Sequence, residues 1–110
     1  MNRSKQRRLE AAGWKVGSTA EFLELTPPEV AFIEMKVSLA RHMRLWRVAQ
    51  GLTQGEVAAS VGSSQSRVAK MEAAHRDVSI DLLVRTLLAL GVTRKGLAKM
   101  ISARVPRSAA

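Results

Sequence analysis

The side chains best suited to chemistry stand together near the middle of the chain. They are Ser64, Gln65, Ser66, Arg67 and Lys70. Successive helical residues are about 100° apart, so Gln65, Ser66 and Lys70 share one arc with the arginine at its edge, opposite the apolar residues of the stretch. A glutamine amide can pair with adenine, hydroxyls can bond several bases, and lysine or arginine can reach guanine or phosphate. The alternative is an ordinary solvated helix face.

A helix, a tight turn and a second helix are predicted to position these side chains. Thr53 and Glu56 have the spacing of a capping box, which predicts a first helix from about Gln54. Gly62 tolerates the left-handed conformation common just past a helix end, so we expect the chain to turn there. Either of the two serines that follow can cap the second helix, whose apolar side then faces inward.

The longest helix is predicted to precede this unit. The residues from Thr26 to Glu29 are typical of a helix start, and the helix can run to about Gln50. Two apolar stripes follow it, one of Phe32, Met35, Leu39, Met43 and Trp46, the other of Val30, Ile33, Val37 and Ala40. Its first half is therefore apolar on more than one side, which exceeds what one packing face requires. We expect this half to contact the N-terminal segment, a second subunit or another protein.

Two more helices are predicted after the unit. Asp77 or Ser79 can cap the first of them, which ends near Gly91. Thr93 can cap the last, with Leu97 on its inner side. Together these signals predict a small all-helical domain.

The sequence LTQGEVAASVGSSQSRVAKME, from Leu52 to Glu72, resembles the helix-turn-helix of the phage-repressor-like family, also called Cro/CI or XRE. The resemblance implies an all-α, lambda-repressor-like five-helix DNA-binding domain over residues 27–103. An N-terminal arm, residues 1–26, is expected to hold a brief extended piece and a short helix, and residues 104–110 to form a flexible tail. Family members often have Gly two residues after the closing Glu, whereas Ala74 stands here, so we expect the second helix to continue past Glu72.

The resemblance also implies how DNA is bound. Repressors of this type bind as two-fold dimers, so we expect a homodimer on an inverted-repeat operator in double-stranded DNA. In the family an Arg and a Glu at the positions of Arg47 and Glu72 pair, so Arg47 is expected to be structural. The predicted base readers are Ser64, Gln65, Ser66, Arg67 and Lys70. The predicted phosphate contacts are Arg41, Arg44, Thr53, Gln54, Ser63, His75 and Arg76.

A wider resemblance covers most of the chain. The segments GWKVG, EFLEL, IEMK, SQSRVAKME, SIDLL and LLALGVTRK together resemble HigA-type antitoxins of bacterial toxin-antitoxin pairs. Such an antitoxin binds and silences a RelE-like ribonuclease that cuts mRNA. Three of the four aromatic residues precede the helix-turn-helix, so we expect residues of about 9–37 to contact such a toxin. The predicted contacts are Trp14, Val16, Phe22, Leu23 and Leu25. The alternative is that the arm only completes the domain's own core.

Composition limits the other function classes. Over 110 residues, 18 Lys and Arg against 9 Asp and Glu give a formal charge of +9, which favours a polyanionic partner. The chain has no cysteine, which suits a reducing cytoplasm and argues against disulfides and thiolate metal sites. His42 and His75 have no plausible nucleophile or ligand cluster around them, so we expect no enzyme activity, metal or cofactor. No stretch approaches the roughly 18 apolar residues that span a membrane.

The sequence is compatible with three functions. The first is an antitoxin that also represses its own operon. The second is a stand-alone XRE-type transcriptional regulator without a toxin partner. The third is a toxin-binding protein whose DNA-binding motif has decayed.

Overall fold

Five helices form the described part of the protein. The computed structural model describes residues 24–103. The helices are α1 Pro27–Ala49, α2 Gln54–Val61, α3 Gln65–Glu72, α4 Ile80–Ala89 and α5 Arg94–Ser102. Residues 24–103 contain no strand, and the predicted all-α, lambda-repressor-like fold is confirmed. Within this range, no helix is both long enough and apolar enough to cross a membrane.

Local capping sets where each helix begins. Thr26 and Thr53 each form a full capping box, in which the hydroxyl accepts an amide three residues on and a glutamate accepts the cap's own amide. Ser64, Ser79 and Thr93 cap the other three helices with a hydroxyl that accepts an amide N–H. Each cap contributes about 1 kcal/mol to the free energy of unfolding. The predicted helix starts are therefore confirmed, with Ser64 and Ser79 as the caps where two candidates were open.

All five helices contribute to one apolar core. Its fully buried side chains are Leu39 and Met43 of α1, Val57 of α2, Val68 and Met71 of α3, and Leu83 and Leu87 of α4. Burying each leucine contributes about 2 kcal/mol to the free energy of unfolding. Leu97 of α5 is 7% exposed and completes the core. Because α1 packs against α3, α4 and α5, it fixes where α3 lies in the fold.

A smaller apolar cluster lies at the N-terminal half of α1. Ile33, Val37 and Ala40 are buried there together with Ala74, which follows α3. Leu25 is partly buried against the same cluster. The apolar stripe of α1 that runs from Val30 to Ala40 therefore packs within the domain, against the loop that follows α3.

The apolar stripe of α1 that runs from Phe32 to Trp46 is exposed at its N-terminal end. Leu39 and Met43 are buried in the core, whereas Phe32 is 56% and Met35 is 36% exposed. The prediction that this half of α1 carries more apolar surface than its packing requires is therefore confirmed. The predicted arm residues Trp14, Val16, Phe22 and Leu23 lie outside the described residues, as does the predicted tail.

The chain leaves α3 earlier than its sequence predicts. The expectation that α3 continues past Glu72 is wrong, because the helix ends at that residue and Ala74 has a φ of +52°. A left-handed alanine costs about 1 kcal/mol. Its methyl group is buried in the cluster with Ile33 and Val37, and the amide of His75 donates to the carbonyl of Lys70 at 3.0 Å. Burial and this hydrogen bond offset the backbone cost.

Replacing Gly62 with alanine should lower the free energy of unfolding by about 1 kcal/mol. The residue ends α2 with a φ of +67°, and a Cβ there would have no atom within 4 Å, so the cost comes from the backbone alone. Gly55→Ala is the matched control: Gly55 lies inside α2, and the nearest atom to a Cβ would be Thr53 Oγ1 at 3.8 Å. This change should raise stability by about 0.5 kcal/mol. Urea unfolding measures both, and a shift in the same direction for both variants would contradict the account.

Candidate nucleic-acid interface

The outer face of α3 is polar and exposed. Val68 and Met71 are 0% and 1% exposed and fix the inner side of the helix in the core. The exposed residues of the helix include Gln65, Ser66, Arg67 and Lys70, which we call the reading face. The hydroxyl of Ser64 accepts the amide of Arg67 at 3.2 Å and lies 3.3 Å from that of Ser66. The reading face therefore stands on a helix whose position the core determines.

A largely buried ion pair ties α3 to α1. Arg47 Nε donates to Glu72 Oε2 at 2.6 Å, and Nη2 donates to Oε1 at 3.0 Å, which makes the pair bidentate. The two side chains are 14% and 4% exposed. Arg47 Nη1 also donates to the carbonyl of Leu52 at 2.9 Å. One guanidinium thus joins α1, the turn before α2 and the end of α3, and the pair implied by the family resemblance is present.

This pair also affects the ionisation of the guanidinium. The hydrogen bond with Glu72 raises the pKa of Arg47 above its ordinary value, and the attraction between the charges adds to this, while burial acts against it. A base whose pKa is raised on folding stabilises the folded state at every pH below its ordinary pKa. That stabilisation is lost only as the pH rises through the folded-state value, so Arg47 stays charged throughout the neutral range.

Two glutamines extend the ion pair to the reading face. Gln54 Nε2 donates to Glu72 Oε1 at 3.1 Å, and Gln65 Nε2 donates to Gln54 Oε1 at 2.7 Å. Gln65 keeps its side-chain oxygen and one N–H, which match the amino group and N7 of adenine. Gln54 keeps one N–H for a phosphate. The sequence predicts a DNA contact for each glutamine, but it does not predict the bond between them.

The basic residues predicted to contact phosphate differ in exposure. Arg44 and Arg76 are exposed, whereas Arg41 and His75 are half-buried. One ring nitrogen of His75 is engaged, because Nδ1 accepts the amide N–H of Asp77 at 3.1 Å. The two exposed arginines are therefore the more accessible of the four to a DNA backbone.

The two hydroxyl residues predicted to contact phosphate lie on either side of α2. The hydroxyl of Thr53 accepts the amide of Glu56 at 3.1 Å in the capping box. The hydroxyl of Ser63 is buried and has no hydrogen-bond partner among residues 24–103, while its amide donates to Ala58 at 2.8 Å. A buried hydroxyl does not reach a phosphate, so this geometry argues against the contact predicted for Ser63.

A concavity of about 300 Å³ lies beside the reading face. It is lined by Ser64, Ser66, Arg67, Lys70, Asp77, Val78 and Leu82. Asp77 is the acidic residue of this lining. Its side chain is 62% exposed, and Oδ2 lies 3.9 Å from Lys70 Nζ. The sequence predicts Asp77 only as a possible helix cap, a role that Ser79 takes through its bond with the amide of Leu82. An acidic side chain at this position is the feature that sequence reasoning missed.

A family model described as Helix-turn-helix matches residues 43–97. The chain belongs to the XRE-type helix-turn-helix family. The match runs from the second half of α1 into α5, so it includes the Arg47–Glu72 pair and the reading face. No curated protein and no solved structure shows a significant match to the chain.

As an XRE-type helix-turn-helix protein, the chain is a DNA-binding protein. The finer resemblance to HigA-type antitoxins receives no support from the comparisons. The arm and the first half of α1, which carry much of that resemblance, precede the matched residues 43–97.

Proposed function

We propose that this chain is a transcriptional repressor that binds an inverted-repeat operator as a homodimer and reads it with α3. The observation that carries the proposal is the bonded series from Arg47 through Glu72 and Gln54 to Gln65, which ends at an exposed amide on the first turn of α3. A helix that enters the major groove presents its N-terminal residues to base edges. Because the series holds Gln65 in place before DNA arrives, less of its freedom is lost on binding.

In this proposal, charge supplies affinity and hydrogen bonding supplies selectivity. The formal charge of +9 attracts duplex DNA with a strength that falls as salt rises. Arg44 and Arg76 contact phosphates, Gln65 reads adenine, and Lys70 reads guanine or contacts phosphate. One such helix reads few bases, so two copies related by a two-fold axis are needed to select an operator.

Selection from a random duplex library tests this proposal. We expect the enriched duplexes to contain two inverted half-sites whose centres lie one helical turn apart, about 10 base pairs. Sedimentation of the complex should show two protein chains per duplex. Enriched duplexes without a shared motif would contradict the proposed function.

Exposed apolar residues on α1 favour a second function, that of an antitoxin. Phe32 and Met35 are 56% and 36% exposed and precede the residues 43–97 that the family model matches. Aromatic and methionine side chains are enriched at protein interfaces, where a few of them contribute most of the binding energy. In this reading the chain neutralises a RelE-like mRNA-cutting ribonuclease toxin through this face and the arm, and its DNA binding is autorepression. The proposed arm contacts are Trp14, Val16, Phe22, Leu23 and Leu25.

Replacing Phe32 and Met35 with serine should weaken toxin binding about 30-fold or more, because an anchoring aromatic contributes about 2 kcal/mol. The free energy of unfolding should change by less than about 0.5 kcal/mol, since both side chains are exposed. Val48→Ser is the matched control, because Val48 is 58% exposed at the other end of α1. Titration against a RelE-like ribonuclease encoded beside the gene gives the affinities. Equal binding by wild type, control and double variant would contradict the toxin-binding face.

The neighbouring gene and one deletion distinguish the remaining alternatives. A small, basic, ribonuclease-like reading frame beside the gene favours the antitoxin, and its absence favours a stand-alone XRE-type regulator. Deleting residues 1–25 from an antitoxin should leave a folded DNA-binding protein that no longer neutralises. If the arm instead completes the core, the same deletion should leave an unfolded chain.

A further inference from the structure

We propose that Asp77 sets the DNA selectivity of the reading face by restraining Lys70. This inference rests on the proposed function of α3 as the helix that reads DNA. Asp77 lies outside α3, in the segment between α3 and α4, yet it lines the same concavity as Ser64, Ser66 and Arg67. A carboxylate at a surface that binds a polyanion opposes binding by its charge, so its presence there calls for a role.

The carboxylate of Asp77 lies where it can restrain the lysine of the reading face. Asp77 Oδ2 is 3.9 Å from Lys70 Nζ, and the two side chains are 62% and 52% exposed. His75 Nδ1 is 3.5 Å from the same oxygen and accepts the amide N–H of Asp77 at 3.1 Å. Two basic residues, Arg67 and Lys70, line the concavity, and Lys70 Nζ is the group that pairs with Asp77 there.

Three hydrogen bonds and a buried neighbour hold the backbone around Asp77 in place. Lys36 Nζ of α1 donates to the carbonyl of His75 at 3.0 Å. The amide of His75 donates to the carbonyl of Lys70 at 3.0 Å, and the amide of Val78 donates back to His75 at 2.9 Å. Val78 itself is 3% exposed and belongs to the core. The backbone of Asp77 is therefore held close to α3.

Two physical effects of this carboxylate favour selective over unselective binding. It repels phosphates, and it holds a flexible ammonium that would otherwise contact the backbone of any duplex. At a base edge, however, a carboxylate accepts the amino group of cytosine, which offsets the repulsion only where that base is present. Asp77 therefore weakens binding to most sequences and spares those that offer an amino group in the right place.

Asp77→Asn tests this role, because it removes the charge and keeps the shape. The probes are a 30-base-pair duplex carrying the motif that the wild type selects from a random library, and a shuffled duplex of the same composition. We expect affinity for the shuffled duplex to rise about three- to tenfold and the ratio of the two affinities to fall about tenfold. The logarithmic dependence of affinity on salt should steepen by about one unit, because Lys70 is freed to displace one more counterion.

Asp81→Asn is the matched control for the loss of one negative charge. Asp81 is 76% exposed, pairs with Arg85 at 3.5 Å along α4 and does not line the concavity. We expect it to leave the affinity ratio unchanged. Thermal unfolding of both variants should match the wild type within about 3 °C, since both positions are exposed.

A second background shows whether Asp77 acts through Lys70. In Lys70→Gln protein, adding Asp77→Asn should no longer change the salt dependence. A steepening of equal size in both backgrounds, or an unchanged affinity ratio in Asp77→Asn alone, would overturn the inference. If the wild type selects no motif at all, the proposed function fails and this inference fails with it. If the wild type discriminates and Asp77→Asn discriminates equally well, only the role of Asp77 fails.

Discussion

Replacing Gln65 and Lys70 together with alanine is expected to lower affinity for the selected duplex by about 100-fold or more. Each base contact contributes about 1–3 kcal/mol of discrimination, and a two-fold dimer makes each contact twice. Because about 1.4 kcal/mol corresponds to a factor of ten, even the lower estimate gives a loss of this size. Fluorescence anisotropy at one fixed salt concentration measures the affinity of each protein for the selected and shuffled duplexes.

The control removes the same chemical groups from elsewhere on the surface. Gln50 and Lys95 are exposed and lie outside α3, so Gln50→Ala with Lys95→Ala takes away one amide and one positive charge without touching the reading face. We expect this variant to weaken binding to both duplexes equally and by less than tenfold. The free energy of unfolding of both double variants should stay within about 1 kcal/mol of the wild type. Unchanged affinity of the Gln65 and Lys70 variant for the selected duplex would contradict the assignment of α3.

A second large effect, on the free energy of unfolding, is expected from replacing Glu72, the residue that bonds both Arg47 and Gln54. Glu72→Ala should lower the free energy of unfolding by about 3 kcal/mol, because it leaves the largely buried guanidinium of Arg47 without its partner. For a domain of this size, such a loss lowers the midpoint of thermal unfolding by roughly 10–20 °C. Gln54 also loses its acceptor, so DNA selectivity should fall under conditions where the variant is still folded.

Two control variants show whether the loss of stability comes from the buried ion pair. Asp81→Ala removes a carboxylate from an exposed pair with Arg85 and should cost less than about 0.5 kcal/mol. Replacing Arg47 and Glu72 together with methionine removes both charges and should recover most of the stability that Glu72→Ala loses. A Glu72→Ala variant as stable as Asp81→Ala would show that the pair does not hold α1 to α3.

Helix starts were the most predictable part of the fold, and the physical reason is that capping is local. The hydroxyl of Thr53 and the carboxylate of Glu56 act within one turn, so their spacing in the sequence nearly determines their geometry. The inward positions of α3 followed similarly, since Val68 and Met71 are three residues apart in a helix whose opposite face is polar. These features need no knowledge of the rest of the chain.

The end of α3 was mispredicted because a distant segment decides the local structure there. Ala74 takes a left-handed conformation because its methyl group is buried against Ile33 and Val37, which lie far away in the sequence. Ser63 points its hydroxyl inward, although its neighbour Ser64 has the same side chain and caps α3. Helical spacing could not distinguish such cases, since each depends on what packs against the segment.

The candidate site shows the same division. Helical spacing placed Gln65 and Lys70 on one face of α3, and the family resemblance supplied the pairing of Arg47 with Glu72. Neither indicated that Gln65 is bonded to Gln54 or that Asp77 stands beside Lys70, because both contacts join residues from different elements. The contacts that we propose to set selectivity could therefore be found only from the fold.

The most direct test of the central claim is an amide chemical-shift map of the protein bound to its selected duplex. We predict that the largest shifts fall on Gln54, on residues 64–70 and on residues 75–77, with smaller changes across the core. Shifts concentrated instead around Phe32 and Met35, or spread evenly over the surface, would contradict the claim that α3 reads DNA.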